Sequence, residues 1–271
     1  MIEIHILASG STGNAALFQF GSTSILIDAG ISARRIANGL KAVGSDVRAI
    51  DAILLTHEHS DHIKGVEVLA RRFQIPVYSR AKTWERLPFR DNIPGRCCCL
   101  LDDTMKIGPV DLECFRISHD AVDPVGFTFH YRQRKLAFAT DVGSITKTVV
   151  DALSGADVAV LEANHDREML AKGPYPGFLK QRISSGRGHL SNDHSARILA
   201  QIKMKPGLRV FLAHLSQQNN RPDIAEDTVA RYLRKQGCDV GREIITSGIH
   251  NFHQSSGTFQ CCFSCCQFHS S

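Results

Sequence analysis

Residues 54–65, LLTHEHSDHIKG, constrain this chain more than any other stretch. The run AILLT (52–56) reads as a buried strand. It ends where His57, His59, Asp61 and His62 crowd into six positions. His57 and His59 stand two apart in an extended turn, so both rings can point to one place. Asp61 and His62 then enter the first turn of a helix and can face a second point nearby. Neutral imidazoles and carboxylates at this density are a donor set for zinc, manganese or iron. A polar loop of titrating histidines is the bland alternative. It does not account for three histidines and two acids placed directly after a buried strand.

The flanking segments predict the scaffold. IEIHILA (2–8), AALFQF (15–20) and SILID (24–28) are short apolar runs bounded by Gly, Ser, Asn and Asp, and read as strands. A helix over 32–43 precedes the strand 52–56. A second helix follows from Ile63, with Ile63, Val66, Leu69, Ala70 and Phe73 on one face, and Pro76 ends it before the strand PVYS. The middle of the chain repeats this order. Strands at 110–118, 125–131 and 135–140 lead to a helix near 146–154 and a strand at 157–163. Helices near 166–172, 176–185 and 191–204, a strand at 208–215 and a helix at 222–236 complete the pattern. Strands in succession followed by helix–strand units, twice over, predict the α/β class and a four-layer αββα sandwich: two mixed sheets with helices outside.

The chain has 271 residues and is 43% hydrophobic, enough for a sizeable core and too apolar for disorder. One domain is expected over 1–250, followed by a Cys-rich, flexible tail at 251–271. No apolar run approaches the roughly 18–20 residues of a membrane span. The N-terminus does not read as a secretory signal, so a cytoplasmic protein is expected. The nine cysteines, odd in number and partly adjacent, do not read as a disulfide framework. Cys97–Cys99 and the tail receive no functional account.

Charge is unevenly placed. Residues 172–209 hold Lys172, Lys180, Arg182, Arg187, Arg197, Lys203, Lys205 and Arg209 against Asp193 alone. A second basic stretch covers 64–96. Both fit a footprint for a polyanion, and equally a pair of solvated helix faces.

Further candidate ligands stand at strand ends: His119 after ECFRIS, Asp141 after LAFAT and His214 after VFLA. Together with THEHSDH they resemble the ligand series of the metallo-β-lactamase superfamily, over residues 1 to about 250. The resemblance implies two divalent ions, zinc or manganese. His57, His59 and His119 would hold one, Asp61, His62 and His214 the other, with Asp141 between them. Asp28, in SILIDAG, would brace the ligands. Secreted β-lactamases usually carry Cys in place of that bridging Asp. The 73 positions between Asp141 and His214 leave no room for the insertion of β-CASP nucleases.

Five further motifs, LASGSTGNA (7–15), ISHDAVDPVGF (117–127), LEANHDREML (161–170), GHLSND (188–193) and LAHLSQQNN (212–220), resemble the YycJ/WalJ group, described as double-stranded-DNA 5′→3′ exonucleases. This implies a dinuclear-metal phosphodiesterase that attacks phosphorus with a metal-bridging hydroxide. Asp61 would also move a proton. His189 would be the general acid, by its similarity to the GH motif of tRNase Z; otherwise it caps the helix beginning near Ser191. Asn164 and His165, and Ser216, Asn219 and Asn220 with Arg221, are candidate contacts to nucleic acid, while Asp120 reads as a neighbour of the site and not a ligand. GSTGN lacks the Lys of a P-loop and is not read as a nucleotide site. Two alternatives stay open: an RNA-processing or small-phosphodiester metallohydrolase, and a non-catalytic regulatory protein stabilised by metal.

Overall fold

The structure is a computed structural model that describes residues 1–241, 244–248 and 261–262, with side chains through residue 241. The expected domain boundary near residue 250 and all of the tail except Cys261 and Cys262 lie outside the described residues.

Two sheets carry the fold. In the first, β1 (Ile2–Ala8), β2 (Ala15–Phe20) and β3 (Thr23–Ile27) form an antiparallel meander. β4 (Ala52–Leu54), β5 (Val77–Ser79) and β6 (Cys98–Leu100) then add in parallel beside β3. The second sheet follows the same plan. β7 (Thr104–Ile107), β8 (Val110–Arg116), β9 (Val125–Tyr131) and β10 (Arg134–Ala139) are antiparallel. β11 (Val158–Glu162), β12 (Leu208–Ala213) and β13 (Ile244–Gly248) then run parallel to β10. β14 (Cys261–Cys262) pairs with the outer side of β1.

Strands buried on both faces read as continuous apolar runs, and the side-chain alternation sorts those faces. Phe18, Phe20, Ile25 and Ile27 point between the sheets, against Leu112, Phe127, Phe129 and Phe138. Phe18 lies 5.2 Å from Phe129, ring centre to ring centre, in a tilted aromatic stack. Leu17, Leu26 and Ile53 point the other way, onto α1 (Ala33–Ala42), α3 (Val66–Phe73) and α4 (Ala81–Arg86). Ala137, Ala139, Leu161 and Val210 of the second sheet pack under α5 (Lys147–Leu153), α8 (Asn192–Gln201) and α9 (Pro222–Lys235). This is the expected four-layer αββα sandwich.

Several local expectations are refined. The helix foreseen from Ile63 is two pieces, α2 (Ser60–Ile63) and α3, separated around Gly65. The Gly65 N–H donates to the Ala29 carbonyl at 2.7 Å, and a Cβ there would meet the Ile31 carbonyl oxygen at 2.5 Å. The chain must change direction at this residue to pass so close to the loop after β3. β6, β7, β13 and α4 are additional elements. β6 places Cys98 and Cys99 on the first sheet's edge, which is the structural use of that cysteine run.

Candidate metal centre

Every predicted ligand leaves its strand at one end of the sandwich. β3 ends before Asp28, β4 before His57, β8 before His119, β10 before Asp141 and β12 before His214. Parallel strands end on the same side, and in open α/β sheets that side is where crevices form. Asp28, Asp141 and His214 all adopt the left-handed backbone, with φ of 58°, 59° and 57°. This conformation costs a non-glycine residue roughly 1–2 kcal/mol. Here it turns three strand ends sharply, and strain of this kind is concentrated at functional sites.

The loop 9–14 locks the motif in place. Asn14 N–H donates to the Asp61 carbonyl at 2.8 Å, and its amide donates to the Asp61 carboxylate at 3.3 Å. The Gly10 N–H holds the Asn14 side chain from behind at 2.8 Å. Gly30 is pressed against this crossing, and a Cβ there would overlap the Asp61 carbonyl oxygen. GSTGN therefore serves to position Asp61.

The histidines are oriented by their far nitrogens. His62 donates from Nδ1 to Asp28 Oδ2 at 2.7 Å. His57 Nδ1 donates at 2.9 Å to Thr56 Oγ1, whose hydroxyl donates to Asp28 Oδ2 at 2.9 Å. His119 Nδ1 donates to the Gly188 carbonyl at 3.1 Å, and His214 Nδ1 to Glu162 Oε1 at 2.8 Å. Each bond fixes a tautomer and leaves Nε2 for another partner, the arrangement typical of metal-ligating histidine.

The Nε2 atoms converge, that of His62 also meeting the Asn14 amide at 3.0 Å and that of His57 meeting His59 Nδ1 at 3.1 Å. His57, His59 and His119 present ring nitrogens within 4.8 Å of one another, and so do ligand atoms of Asp61, His62 and His214. The Asp141 carboxylate stands 3.4 Å from His62 Nε2, 3.5 Å from His214 Nε2 and 3.9 Å from His119 Nε2. His119 Nε2, Asp141 Oδ2 and His214 Nε2 are buried and make no hydrogen bond. Buried polar atoms left without partners cost free energy. Three of them aimed at one point fit divalent cations.

Electrostatics follow the same geometry. Burial and the neighbouring imidazoles push His57 far below the ordinary histidine range, so it is a neutral donor. Burial would raise Asp61 and Asp141. His62 and His214 hold both carboxyls below their usual range, so both stay ionised. Burial would lower His189, but Glu162, through its charge and a 2.8 Å hydrogen bond to Nδ1, raises it to about 9.

Glu162 was overlooked in the sequence. It is fully buried at the end of β11. Its Oε1 accepts from both His189 and His214, and its Oε2 from the N–H groups of Val142 and Leu190. An acid inside the apolar strand DVAVLEA was the available signal, because a buried carboxylate must be paired.

A cleft of about 280 Å³ opens over the cluster. His59, Asp61, His119, Asp141, His189 and His214 form its floor, with Ser11, Asn164, Ser216, Tyr175, Leu179 and Arg182 around it. The other nucleic-acid candidates do not reach it. His165 is buried, and burial takes it down to about 4. Asn220 is buried and bonds Asn192 and the Ala163 carbonyl, and buried Asn219 bonds Ser216. Asn219 and Asn220 hold the loop after β12. Asn164 lines the cleft and also donates to the His214 carbonyl at 2.9 Å. Asp120 is a rim residue, held by Arg182 at 2.6 Å and 3.3 Å from His119 Nε2. Ser191 itself caps α8, so His189 is free of that task.

The basic stretch 172–209 does not form one surface. Lys205 pairs with Asp157 at 2.6 Å before β12 begins, at the opposite end of that strand from His214. Arg182 lines the cleft and is bonded to Asp120, and Arg187 donates to the His119 carbonyl.

The model of the β-lactamase superfamily domain matches residues 23–215. The exodeoxyribonuclease YycJ of Bacillus anthracis is 38% identical over 243 residues, 89% of this chain and 92% of that protein. The exodeoxyribonuclease WalJ of Streptococcus pneumoniae is 36% identical over 241 residues, 87% and 90% of the two chains. Among solved structures, the metallo-β-lactamase fold protein YhfI of Bacillus subtilis superposes with a TM-score of 0.66 at 17% identity, over 93% of this chain and 97% of that one. At that identity the likeness concerns the fold alone.

Proposed function

The chain belongs to the β-lactamase superfamily, beside the exodeoxyribonucleases YycJ and WalJ, and from that premise we propose how it acts on DNA. It is a hydrolase, an exodeoxyribonuclease. Its substrate is duplex DNA, cut from the 5′ end towards the 3′ end in the cytoplasm. Among the described residues Cys97, Cys98, Cys99 and Cys114 form no disulfide, which suits a reducing compartment. Among the described residues no helix is long and apolar enough to cross a membrane.

The similarity over most of both chains to proteins named exodeoxyribonucleases carries this reading. The cleft supplies the groups that the reaction needs. His57, His59 and His119 would hold one divalent ion and Asp61, His62 and His214 a second, with Asp141 between them. The all-His/Asp donor set suits zinc or manganese. Bound there, the ions supply Lewis acidity and a water of lowered pKa. Asp61, kept ionised and steadied by Asn14, accepts the proton that leaves the attacking water. His189 is held protonated by Glu162 through Nδ1, which leaves its Nε2 proton for the departing oxygen. Asn164 holds the backbone of His214, and Ser216 and Ser11 offer hydroxyls to a phosphate on the cleft wall.

The test is to measure metal content and to incubate zinc- and manganese-loaded protein with DNA and RNA of one sequence. The expected result is close to two ions per chain and degradation of DNA from its ends. Degradation of the RNA alone would move the assignment to RNA processing, and a protein that takes up no ion, or that cuts neither substrate when loaded with zinc or manganese, would overturn it.

A further inference from the structure

One element beside the cleft is not used by the chemistry above. α7 (Gly177–Ile183) is a helix without a buried residue. Its Leu179, Arg182 and Ile183, and Tyr175 just before it, line the cleft. Phe178, between them in sequence, is 75% exposed, the most exposed large apolar side chain among the described residues. Residues 169–192 contain no acid; Lys172 pairs with Glu168 at 3.0 Å and Arg182 with Asp120 at 2.6 Å, and Lys180 and Arg187 add two further cations. Arg182 ties the helix to the metal-site rim through Asp120, which lies 3.3 Å from His119 Nε2.

An exposed aromatic ring set among cations is the surface on which single nucleobases stack, because every base offers a π-face and every nucleotide a negative charge. We propose that α7 is the substrate arm of this protein, and that Phe178 stacks on the base of the terminal nucleotide of the strand being cut. The inference rests on the nuclease reading above and adds to it how an end is recognised. A terminal base, unlike an internal one, leaves one of its faces open to a ring. An unstacked terminal base can be gripped without first opening a base pair stack on both sides. Phe178 is a positioning residue and takes no part in the bond-breaking step.

The test is a binding cycle, read by fluorescence anisotropy with the Asp61→Asn protein so that the DNA survives. The probes are a short duplex and the same duplex lacking only the base of its 5′-terminal nucleotide. Phe178→Ala is expected to weaken binding of the intact duplex about tenfold, and Phe178→Trp to restore it. Removal of the base is expected to weaken binding by the parent protein to a similar extent and to leave binding by Phe178→Ala almost unchanged. Equal affinity of the Phe178→Ala and parent proteins for the intact duplex overturns the inference. So do equal losses on base removal in both proteins. Phe178 is exposed, so the substitution does not perturb the core. Binding is measured without turnover, so a protein that shows the coupling but never cuts DNA contradicts the nuclease reading and leaves the stacking role standing.

Discussion

Asp28 shows how far the site depends on residues that touch no metal. One buried carboxylate orients His62 directly and His57 through Thr56, so its loss frees two rings at once. Asp28→Asn is expected to lower metal affinity about 10–100-fold, the usual consequence of removing such a partner. Competition with a chromogenic chelator measures it, and unchanged affinity would show that packing alone aims the rings. Glu162 has the corresponding task for His189 and His214. His189→Ala is expected to reduce kcat about 10²–10⁴-fold with metal content retained. Loss of metal in that variant would instead place His189 among the ligands. The motif residues were legible because their chemistry is rare: histidines and acids seldom crowd behind a buried strand. Glu162 was passed over because one acid in an apolar run looks like a strand end. His165, Asn219 and Asn220 stood next to the right residues in sequence, but the turns after β11 and β12 carry them into the protein interior.

At the scale of elements, one close crossing sets the geometry. The loop after β3 meets α2 and the loop before β2 at Gly30, where Asp61 and Asn14 leave no room for a Cβ. Gly30→Ala is expected to destabilise the protein by about 3 kcal/mol or more, as forced overpacking does, and to displace Asp61. Thermal unfolding and metal content together report both effects. Far from the cleft, Asp157 ties β10, β11 and the start of β12 together. It accepts from the Lys135 N–H at 2.9 Å and pairs with Arg134 and Lys205, each at 2.6 Å. Burial would raise its carboxyl, but Lys205, Lys135 and Arg134 hold it below the ordinary value of 3.8. A depressed acid stabilises the fold above its unfolded pKa, and that contribution disappears as the pH falls through its folded pKa. Asp157→Asn is therefore expected to melt lower than the parent at pH 7, with the gap closing below pH 4. A gap independent of pH would mean that the charge is irrelevant. The elements that sequence reading missed are short or lie on edges. β6 and β7 have three and four residues, too few for a period to show. The break at Gly65 is a tertiary contact, invisible in the helical pattern on either side.

The whole molecule repeats one plan twice, an antiparallel meander feeding parallel strands, and sets both copies face to face so that their strand ends meet. That plan was legible because strands buried on both sides read as continuous apolar runs and helices as one-sided patterns. What was not legible was the distribution of charge over the surface. The stretch 172–209 looked like one basic footprint, yet the fold sends Lys205 to the far end and keeps Arg182 at the cleft. Removal of nucleotides from DNA ends by the His/Asp cluster is tested most directly by incubating 5′-labelled duplex DNA with metal-loaded protein and with its Asp61→Ala variant. Early release of labelled mononucleotide by the parent, and none by the variant, is the predicted result. Intact DNA with both proteins, or equal cleavage by both, would contradict it.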